Sequence, residues 1–546
     1  MKRPANFVIL LLCVQMSALN AAPSAAVHEA PSVIPMPVSM QVKAGEPGFS
    51  MSEGIKVHYS VSRCEVGRAA IRAFMAAGLQ MIPEENEGEL TVAIESGKGK
   101  EWYALEVTPQ GISVRVGSEQ ALHYAAQTLA HSVVKDAEGL PALPCMQVED
   151  EPLLPYRGLM LDPCRHPQTV EQTRKMLRIM ARYKLNRFHW HLADDQGWRI
   201  EIKSYPRLTE VGSRREETPT LANHEVGDGT PTEPFYFTQD EVREIVAYAN
   251  SLGITVIPEI EVPGHSSAAI AAYPELGNTD VPGYAPRVAT TWGVLPYTYA
   301  PRENTLKFLE NVFAEVCELF PRAEFVHIGG DEAPREQWDN SPFARSFMQQ
   351  NGLRSSGHIQ HWFTHRMAEM MARHGRRIVG WDEIMDDGEV PSDAVVMYWR
   401  SWVRPCALRR ALRAGHEVIQ SPDSHFYFNF SQGKLPANPQ YKPHGSLTAE
   451  QDWRHVYSYN PIPENLTPEQ RRLIIGLQAN CWSESIADGR KLEYQTVPRI
   501  CALAEVAWCA PTLKNEAEFL ERIRAQYPWF EAQQINYRRE DGSPAL

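Results

Sequence analysis

The sequence predicts a (β/α)8 barrel, or TIM barrel, preceded by a small α/β domain. Short apolar segments alternate with amphipathic helical segments about eight times over roughly 350 residues, as such a barrel requires. Acidic, aromatic and arginine side chains directly follow these segments. Prolines crowd the acidic stretch at residues 141–155, and proline at that density marks a boundary, which we place near residue 150.

The segment before this boundary, residues 22–150, has the pattern of a small α/β domain. Its candidate strands are apolar segments of strand length, and Pro109–Gly111 forms a turn between the last two. Two longer helical segments accompany them. The predicted strands are Ile55–Tyr59, Leu90–Ile94, Tyr103–Thr108 and Ile112–Val116, and the predicted helices are Gly67–Gly78 and Ser118–Val134.

Residues 151–510 are predicted to form the barrel, and residues 511–546 a C-terminal helical tail. Apolar residues recur at helical spacing from Val170 to Ala181 and from Val242 to Ala249. A doubly wound open sheet is the alternative, but no GxGxxG motif or phosphate loop supports it. The eight predicted strands are Gly158–Leu161, Arg187–Leu192, Thr255–Ile260, Phe325–Ile328, Ile378–Trp381, Ala394–Tyr398, Glu417–Gln420 and Ile474–Ala479.

The first 21 residues have the pattern of a secretory signal peptide. Lys2 and Arg3 precede the apolar run Phe7–Leu12, and small residues follow. The run is too short for a membrane anchor, and Leu12 stands where a lipoprotein would have a small residue before Cys13. We therefore expect a secreted or periplasmic protein without a membrane span after cleavage.

Composition and charge exclude some classes of protein. The chain has 546 residues, 43% hydrophobic and 22% charged, which is typical of globular proteins. The net charge is −13 and no Lys/Arg-rich run occurs, so a nucleic-acid partner is not expected. No cysteine pair has CxxC spacing, which argues against a structural zinc site. Cys64 and Cys145 either pair within the small domain or remain free.

The residues that follow the predicted strands should meet at one mouth, because barrel active sites lie at the C-terminal strand ends. Acids, one arginine and several tryptophans suit a neutral, hydroxyl-rich ligand better than a phosphate. In strand order these residues are Arg165, Asp194, Glu261 and His265, Asp331 and Glu332, Trp381, Trp399, Tyr427 and Asn429, and Trp482 and Glu484.

The adjacent carboxylates Asp331 and Glu332 are the most specific signal. Two glycines precede them and let the backbone turn tightly towards a ligand. Neighbouring carboxylates in a closed site shift each other's titration, so that one can stay protonated as a general acid. A solvated acidic turn is the alternative, and the position at a barrel strand end favours the active site.

The segment His189-Trp190-His191 suggests a different chemistry. Residues i and i+2 of a strand share a face, so both histidines could bind one metal ion. In metal-dependent amidohydrolase barrels this pair belongs on the first strand, whereas here it lies on the second without evident partners. We favour a structural role and keep two alternatives, a metal-dependent amidohydrolase and a non-catalytic carbohydrate-binding protein.

Together these residues closely resemble glycoside hydrolase family 20, the β-N-acetylhexosaminidases. The resemblance covers Ile55 to about Trp508 and rests on LDPCRH, FHWHLADDQGWR, PEIEVPGH, HIGGDE, GWDE and the late Trp-Ser-Glu. It implies a retaining exo-enzyme that removes terminal β-linked GlcNAc or GalNAc from glycans. The family mechanism is substrate-assisted, with an oxazolinium intermediate and without metal or cofactor.

The resemblance also implies a role for each site residue. Glu332 would be the general acid/base, with Asp331 and Tyr427 on the substrate's 2-acetamido group and His265 with Glu261 in support. Trp381, Trp399 and Trp482 would wall the pocket, and Arg165, Asp194 and Glu484 would hold sugar hydroxyls.

Two positions depart from the family pattern. Glu261 stands where the family usually has Asp, which bears on the network around His265. Asn429 stands where Asp is frequent, at a position near the far hydroxyls, and bears on the preference between GlcNAc and GalNAc.

Overall fold

A computed structural model of the chain describes residues 24–85, 88–220, 226–433 and 450–546. The expected signal peptide, residues 1–21, lies outside the described residues. The described residues form a closed eight-stranded barrel preceded by a small α/β domain, which confirms the predicted fold class. Within the described ranges, no helix combines the length and the apolar character that a membrane span needs.

The small domain is built on a five-stranded sheet. Its elements are β1 Ser39–Val42, β2 Phe49–Ser50, β3 Ile55–His58, α1 Tyr59–Arg63, α2 Glu65–Ala76, β4 Met81–Glu84, β5 Leu90–Ile94, β6 Tyr103–Thr108, β7 Gly111–Val116, α3 Glu119–His131, β8 Val134–Lys135, β9 Pro141–Leu143 and β10 Met146–Asp150. The sheet order is β1-β10-β6-β7-β5, and only β5 and β7 pair in parallel. Helices α2 and α3 share an apolar core with this sheet.

Two strands of this sheet, β1 and β10, are absent from the sequence prediction. Strand β10 buries Met146, Val148 and Asp150 in alternation, as a half-buried strand does, but it lies inside the proline-rich acidic stretch that suggests a boundary. Helix α3 is shorter than predicted, since it ends at His131 and Val134 begins β8.

The barrel strands all pair in parallel, in the order of the chain. They are β11 Tyr156–Leu161, β12 Arg187–His191, β15 Thr255–Glu259, β16 Phe325–His327, β17 Arg377–Trp381, β18 Val395–Tyr398, β19 Val418–Gln420 and β20 Ile474–Cys481, with the hairpin β13 Ala193–Asp194 and β14 Gly197–Trp198 after β12. The eight predicted barrel strands are therefore confirmed.

The helices around the barrel begin at recognisable signals. Thr169 and Thr238 form capping boxes with Gln172 and Glu241, which satisfies backbone N–H groups at the helix start. The helices are α4 Val170–Arg182, α5 Arg207–Glu210, α6 Gln239–Ser251, α7 Ser267–Ala272, α8 Glu303–Leu319, α9 Glu336–Asn340, α10 Pro342–Gln350, α11 Gly357–Arg373, α12 Ala407–Ala414, α13 Asp423–Phe426, α14 Trp453–Ser458, α15 Pro468–Arg472, α16 Gly489–Thr496 and α17 Arg499–Trp508.

The last part of the chain packs against the barrel. Helices α18 Glu516–Arg524 and α19 Tyr527–Ala532 bury Phe519, Ile523 and Phe530 in the barrel's apolar core. The residues after Ala532 contain no further helix in the structure. Cys64 and Cys145 are both free, as are the other six cysteines of the described residues.

Buried polar contacts join the small domain to the barrel. Lys184 Nζ lies 3.3 Å from Asp150 Oδ2, and the Trp508 indole donates to the other oxygen of Asp150 at 2.9 Å. Arg157, at the start of the barrel, pairs with Glu101 of the small domain at 2.9 Å. Since all these groups except Glu101 are fully buried, the two domains meet at a buried polar interface.

Candidate active site

The carboxylate pair lies in the turn that follows strand β16. Gly329 and Gly330 have φ angles of +67° and +94°, a left-handed conformation that glycine adopts easily. Glu332 also has a positive φ, +46°, which is a strained conformation for a residue with a side chain. The Asp331 side chain is 12% exposed, whereas that of Glu332 is 39% exposed and faces the mouth.

The two carboxylates differ in their electrostatics. Burial raises the pKa of Asp331, and repulsion from Glu332 adds to this against the opposing charge of His265. Burial also acts to raise the pKa of Glu332, but the charges of His265 and Arg165 outweigh it and hold this pKa below its ordinary value. The surroundings therefore shift the two groups in opposite directions, Asp331 towards its protonated form and Glu332 towards its ionised form.

His265 connects the pair to the barrel interior. Its Nδ1 lies 3.0 Å from Asp195 Oδ2 and 3.2 Å from Asp194 Oδ1, and its Nε2 lies 3.6 Å from one oxygen each of Asp331 and Glu332. Burial opposes a charge on the imidazole, but Asp194 and Asp331 raise its pKa well above the ordinary value. His265 is therefore a cation placed directly behind the two carboxylates.

Arg165 is held rigidly beside this cluster. Its guanidinium contacts Asp162 at 2.9 Å and Asp194 at 2.7 Å, and its Nε donates to Gln196 at 2.8 Å. It also lies over the ring of Trp482, 5.0 Å from the centroid. Asp194 is buried, and its oxygens contact Arg165, His265 and also His191 at 2.9 Å.

Four aromatic side chains border the same space. Trp381 is 1% exposed, and its ring lies 5.7 Å from that of Trp482. Trp399 stacks on Tyr427 with 5.9 Å between centroids and 11° between planes, and its indole donates to Glu383 at 2.8 Å. Tyr427 lies 6.3 Å from Trp482, so these rings form a continuous wall.

Three buried oxygen atoms near this wall have no hydrogen-bond partner among the described residues. They are Oδ1 of Asp331, Oδ1 of Asn429 and Oε2 of Glu484. Buried polar atoms are usually paired, and unpaired ones mark places where a ligand or water can bind. The burial that isolates Glu484 also raises its pKa. These acceptors suit hydroxyl or amide N–H donors.

Glu261 packs beneath the glycine turn. Its Oε2 accepts a hydrogen bond from the backbone N–H of Gly330 at 3.3 Å. Burial, together with the nearby charges of Asp331 and Glu259, raises its pKa well above the ordinary value. Burial therefore favours the protonated form of Glu261, and its hydrogen-bond partner in the turn is the backbone of Gly330.

The residues His189 and His191 do have partners, contrary to the expectation from sequence. Both face Glu259 at the end of β15, with His189 Nε2 at 3.0 Å and His191 Nδ1 within hydrogen-bond distance. His327 and the indole of Trp381 contact the other oxygen at 2.7 and 3.0 Å. Sequence reasoning missed Glu259, although it is the last residue of β15 and therefore stands at the strand end, two positions before Glu261.

Several groups in this region have the composition of metal ligands, for example His189, Glu259 and His327. In this trio His327 Nδ1 and His189 Nε2 lie 2.7 and 3.0 Å from the oxygens of Glu259. His327 Nδ1 accepts a hydrogen bond from the backbone N–H of Gly329 at 3.0 Å, and Glu259 accepts one from the indole of Trp381 at 3.0 Å. Hydrogen bonds within the protein therefore already engage atoms of this trio.

The described geometry agrees with a family assignment made from sequence. The profile of the glycosyl hydrolase family 20 catalytic domain matches residues 154–511, and the profile of family 20 domain 2 matches residues 30–151. The chain belongs to glycosyl hydrolase family 20. This assignment disfavours the amidohydrolase alternative, and the presence of Asp331, Glu332 and Tyr427 disfavours a non-catalytic carbohydrate-binding protein.

Related family 20 proteins span nearly the whole chain. A β-hexosaminidase of Porphyromonas gingivalis is 37% identical over 93% of this chain, and this chain spans 64% of that protein's length. A β-hexosaminidase of Akkermansia muciniphila is 31% identical, and the match covers 91% of this chain and 96% of that protein's length. The crystal structure of an exo-β-N-acetylglucosaminidase from Vibrio harveyi, in complex with N-acetylglucosamine, has a TM-score of 0.81 at 28% identity. The match covers 96% of this chain and 81% of the Vibrio harveyi chain.

Proposed function

We propose that the chain is a retaining exo-β-N-acetylhexosaminidase that removes terminal β-linked GlcNAc or GalNAc from glycans. The observation that carries this proposal is the Asp331–Glu332 pair, in which Asp331 presents an unpaired buried oxygen and Glu332 an exposed carboxyl group. The names of the relatives, which are β-hexosaminidases and an exo-β-N-acetylglucosaminidase, agree with this substrate class.

The pair suits a reaction in which the substrate supplies the nucleophile. Ordinary retaining glycosidases use two carboxyl groups about 5–5.5 Å apart on opposite faces of the sugar, and family 20 is a recognised substrate-assisted exception. Adjacent residues of one turn are poorly placed to flank a ring. If the 2-acetamido oxygen attacks C1, Glu332 protonates the leaving oxygen and Asp331 accepts the acetamido N–H as positive charge develops.

The second half of the reaction uses the same groups. Water attacks C1 of the oxazolinium intermediate, and Glu332 now acts as the base that removes the water's proton. Two inversions at C1 restore the β configuration of the product. Tyr427, which lies between Trp399 and Trp482, donates its hydroxyl hydrogen to the acetamido oxygen.

Glu332 must be protonated when the sugar is bound. In the free site the charges of His265 and Arg165 hold its pKa down. A sugar in the pocket displaces water from the 39% of this side chain that is exposed, and desolvation raises the pKa of a carboxyl group. Binding itself thus favours the acid form.

The remaining polar groups would bind the sugar hydroxyls. Arg165 has a guanidinium fixed by two carboxylates, while Glu484 and Asn429 offer unpaired oxygens. Asp194 has no free oxygen, so its role is to hold Arg165 and His265 in position. Trp381, Trp399 and Trp482 supply apolar surface for the ring.

A chromogenic assay tests the proposed activity. The purified chain should release nitrophenol from both the β-GlcNAc and the β-GalNAc aryl glycosides, with equal rates before and after treatment with EDTA. Glu332→Gln should lose this activity, whereas Glu336→Gln, an exposed glutamate four residues later, should retain it. No release of nitrophenol, or loss in EDTA that zinc restores, would contradict the proposal.

We also propose that residues 1–21 are removed on export and that the enzyme acts in the periplasm or outside the cell. Lys2, Arg3 and the apolar run Phe7–Leu12 support this. Protein recovered from its native cells should begin at Ala22 by N-terminal sequencing. An intact Met1 on cytoplasmic protein would contradict it.

A further inference from the structure

Glu259 lies fully buried beneath the sugar pocket, at the end of β15. Four nitrogen atoms from three other barrel strands surround its two oxygens. The Trp381 indole donates to Oε1 at 3.0 Å, with His327 Nδ1 2.7 Å from the same atom. His191 Nδ1 donates to Oε2, and His189 Nε2 lies 3.0 Å from it.

Two of these contacts continue into the pocket. The ring of Trp381 lies beside that of Trp482, with 5.7 Å between centroids, and its indole N–H donates to Glu259. His191 uses its second nitrogen to contact Asp194 Oδ2 at 2.9 Å, and Asp194 in turn contacts Arg165 at 2.7 Å and His265 at 3.2 Å. A chain of contacts therefore runs from Glu259 to the cation behind Glu332.

The charges alternate along this chain. Burial opposes a charge on His191, but Glu259 and Asp194 outweigh it and raise its pKa to about 10. With both ring nitrogens protonated, His191 can donate at once to Glu259 and to Asp194. Glu259, by contrast, keeps its negative charge, because the surrounding imidazoles hold its pKa well below the ordinary value despite burial.

We propose that Glu259 is a positioning residue for catalysis, which fixes the indole of Trp381 and, through His191, the carboxylate of Asp194. The inference rests on the proposed glycosidase function. A buried carboxylate costs free energy that an apolar side chain of similar size avoids. The contacts of this carboxylate converge on the pocket, directly through the indole of Trp381 and through His191 to Asp194.

The first test replaces the carboxylate without changing its shape. Glu259→Gln should lower kcat for an aryl β-GlcNAc about 100-fold, with a much smaller change in KM, because misplaced groups raise the barrier more than they weaken substrate binding. The matched control is Glu505→Gln. Glu505 is equally buried and pairs with Arg522 at 2.5 Å, but none of its contacts belongs to the pocket.

Glu505→Gln should lower the melting temperature while leaving kcat unchanged per folded molecule. Equal kcat values for the two variants would overturn the proposal. If Glu259→Gln does not fold, Glu259→Asp takes its place. Aspartate keeps the charge but is one methylene shorter, and it should restore folding with a lowered kcat, whereas wild-type kcat would contradict the inference.

A double-mutant cycle separates positioning from general destabilisation. Trp381→Phe removes the indole N–H and keeps an aromatic ring. Since Glu259 acts partly through that N–H, the loss of kcat/KM in the double variant Glu259→Gln/Trp381→Phe should be smaller than the product of the two single losses. If the loss of kcat/KM in the double variant equals the product of the two single losses, Glu259 does not act through the indole of Trp381.

Failure of this inference is distinguishable from failure of the proposed function. If the wild-type protein does not hydrolyse aryl β-GlcNAc, the proposed function is wrong. If the wild type is active and Glu259→Gln matches Glu505→Gln, only the positioning role is wrong.

Discussion

Oε2 of Glu261 occupies the place that a side chain on residue 329 would need. An ideal Cβ built on Gly329 would lie 1.6 Å from this oxygen, well inside van der Waals contact. The buried acid and the glycine therefore share one space beneath the turn that carries Asp331 and Glu332. The family more often has the shorter aspartate at position 261, whereas the longer side chain of Glu261 reaches this space.

Gly329→Ala should consequently lower activity through the clash with Glu261, in addition to the loss of stability from the strained backbone. We expect at least a 100-fold loss of kcat/KM, because Glu261 or the turn must move and misplacement on the order of 1 Å costs about that much. Gly352→Ala is the matched control. Gly352 has nearly the same φ, +66°, but nothing lies within 4 Å of its Cβ position.

Both variants should lose roughly 1 kcal/mol of stability from the left-handed backbone conformation. Thermal unfolding and kinetics on an aryl β-GlcNAc measure the two effects separately. If Gly352→Ala loses as much activity as Gly329→Ala, the clash with Glu261 is not the cause.

A second prediction concerns the acid role of Glu332. Glu332→Gln should lower hydrolysis by roughly 10²–10⁴, the usual contribution of general acid catalysis. The loss should shrink with a dinitrophenyl glycoside, whose leaving group departs without a proton. Steady-state kinetics with a series of aryl glycosides measures this dependence, and equal losses on good and poor leaving groups would remove Glu332 from the acid role.

The carboxylate pair could be found from sequence because its context is local. An apolar strand, two glycines and two acids follow one another within eight residues of chain, Phe325–Glu332. Strand-end placement then gathers the other candidates, since all barrel strands point the same way. Both inferences depend only on residues that are neighbours in sequence and on the barrel topology.

The hydrogen-bonded interior could not be found in this way. His191 and Glu259 are 68 residues apart, and their contact depends on the register between β12 and β15, which pairs them directly. The burial of Asp194 likewise depends on where Arg165 and His265 come to lie. Three-dimensional packing thus decides which acidic side chains contact the sugar and which ones position other residues of the site.

The pH profile should report the charge on His265. This cation lowers the pKa of both Asp331 and Glu332, so its removal in His265→Gln should raise both. The acidic limb of kcat/KM requires ionised Asp331, and the alkaline limb requires protonated Glu332. Both limbs of the residual activity should therefore move to higher pH. Unchanged limbs, or limbs at lower pH, would show that His265 is neutral in the free enzyme.

The wall tryptophans should divide into fold and ligand residues. Trp381 is 1% exposed, and Trp381→Ala should cost roughly 3–5 kcal/mol of stability, as is usual for a buried aromatic side chain. Trp399 is 9% exposed at the mouth, and Trp399→Ala should mainly change kinetic constants. Chemical unfolding and kinetics measure both. Equal losses of stability would place Trp399 in the core as well.

The substrate's own acetamido group is the decisive element of the proposed mechanism. A plain glucoside should be nearly inert, because a 2-hydroxyl group cannot form the oxazolinium ring. GlcNAc-thiazoline, which mimics the bicyclic intermediate, should bind far more tightly than substrate, as species resembling the transition state do. Asp331→Asn should reduce both the preference for the acetamido substrate over the plain glucoside and the affinity for GlcNAc-thiazoline. An amide side chain does not balance the developing positive charge.

The first product should be β-GlcNAc, because attack by the acetamido oxygen and then by water inverts C1 twice. Proton NMR of the early reaction distinguishes this anomer before mutarotation. The unpaired Oδ1 of Asp331 is the acceptor that the positively charged oxazolinium N–H needs. α-GlcNAc as the first product, or a glycosyl ester trapped on a carboxylate, would exclude this mechanism and make Asp331 an ordinary nucleophile or base.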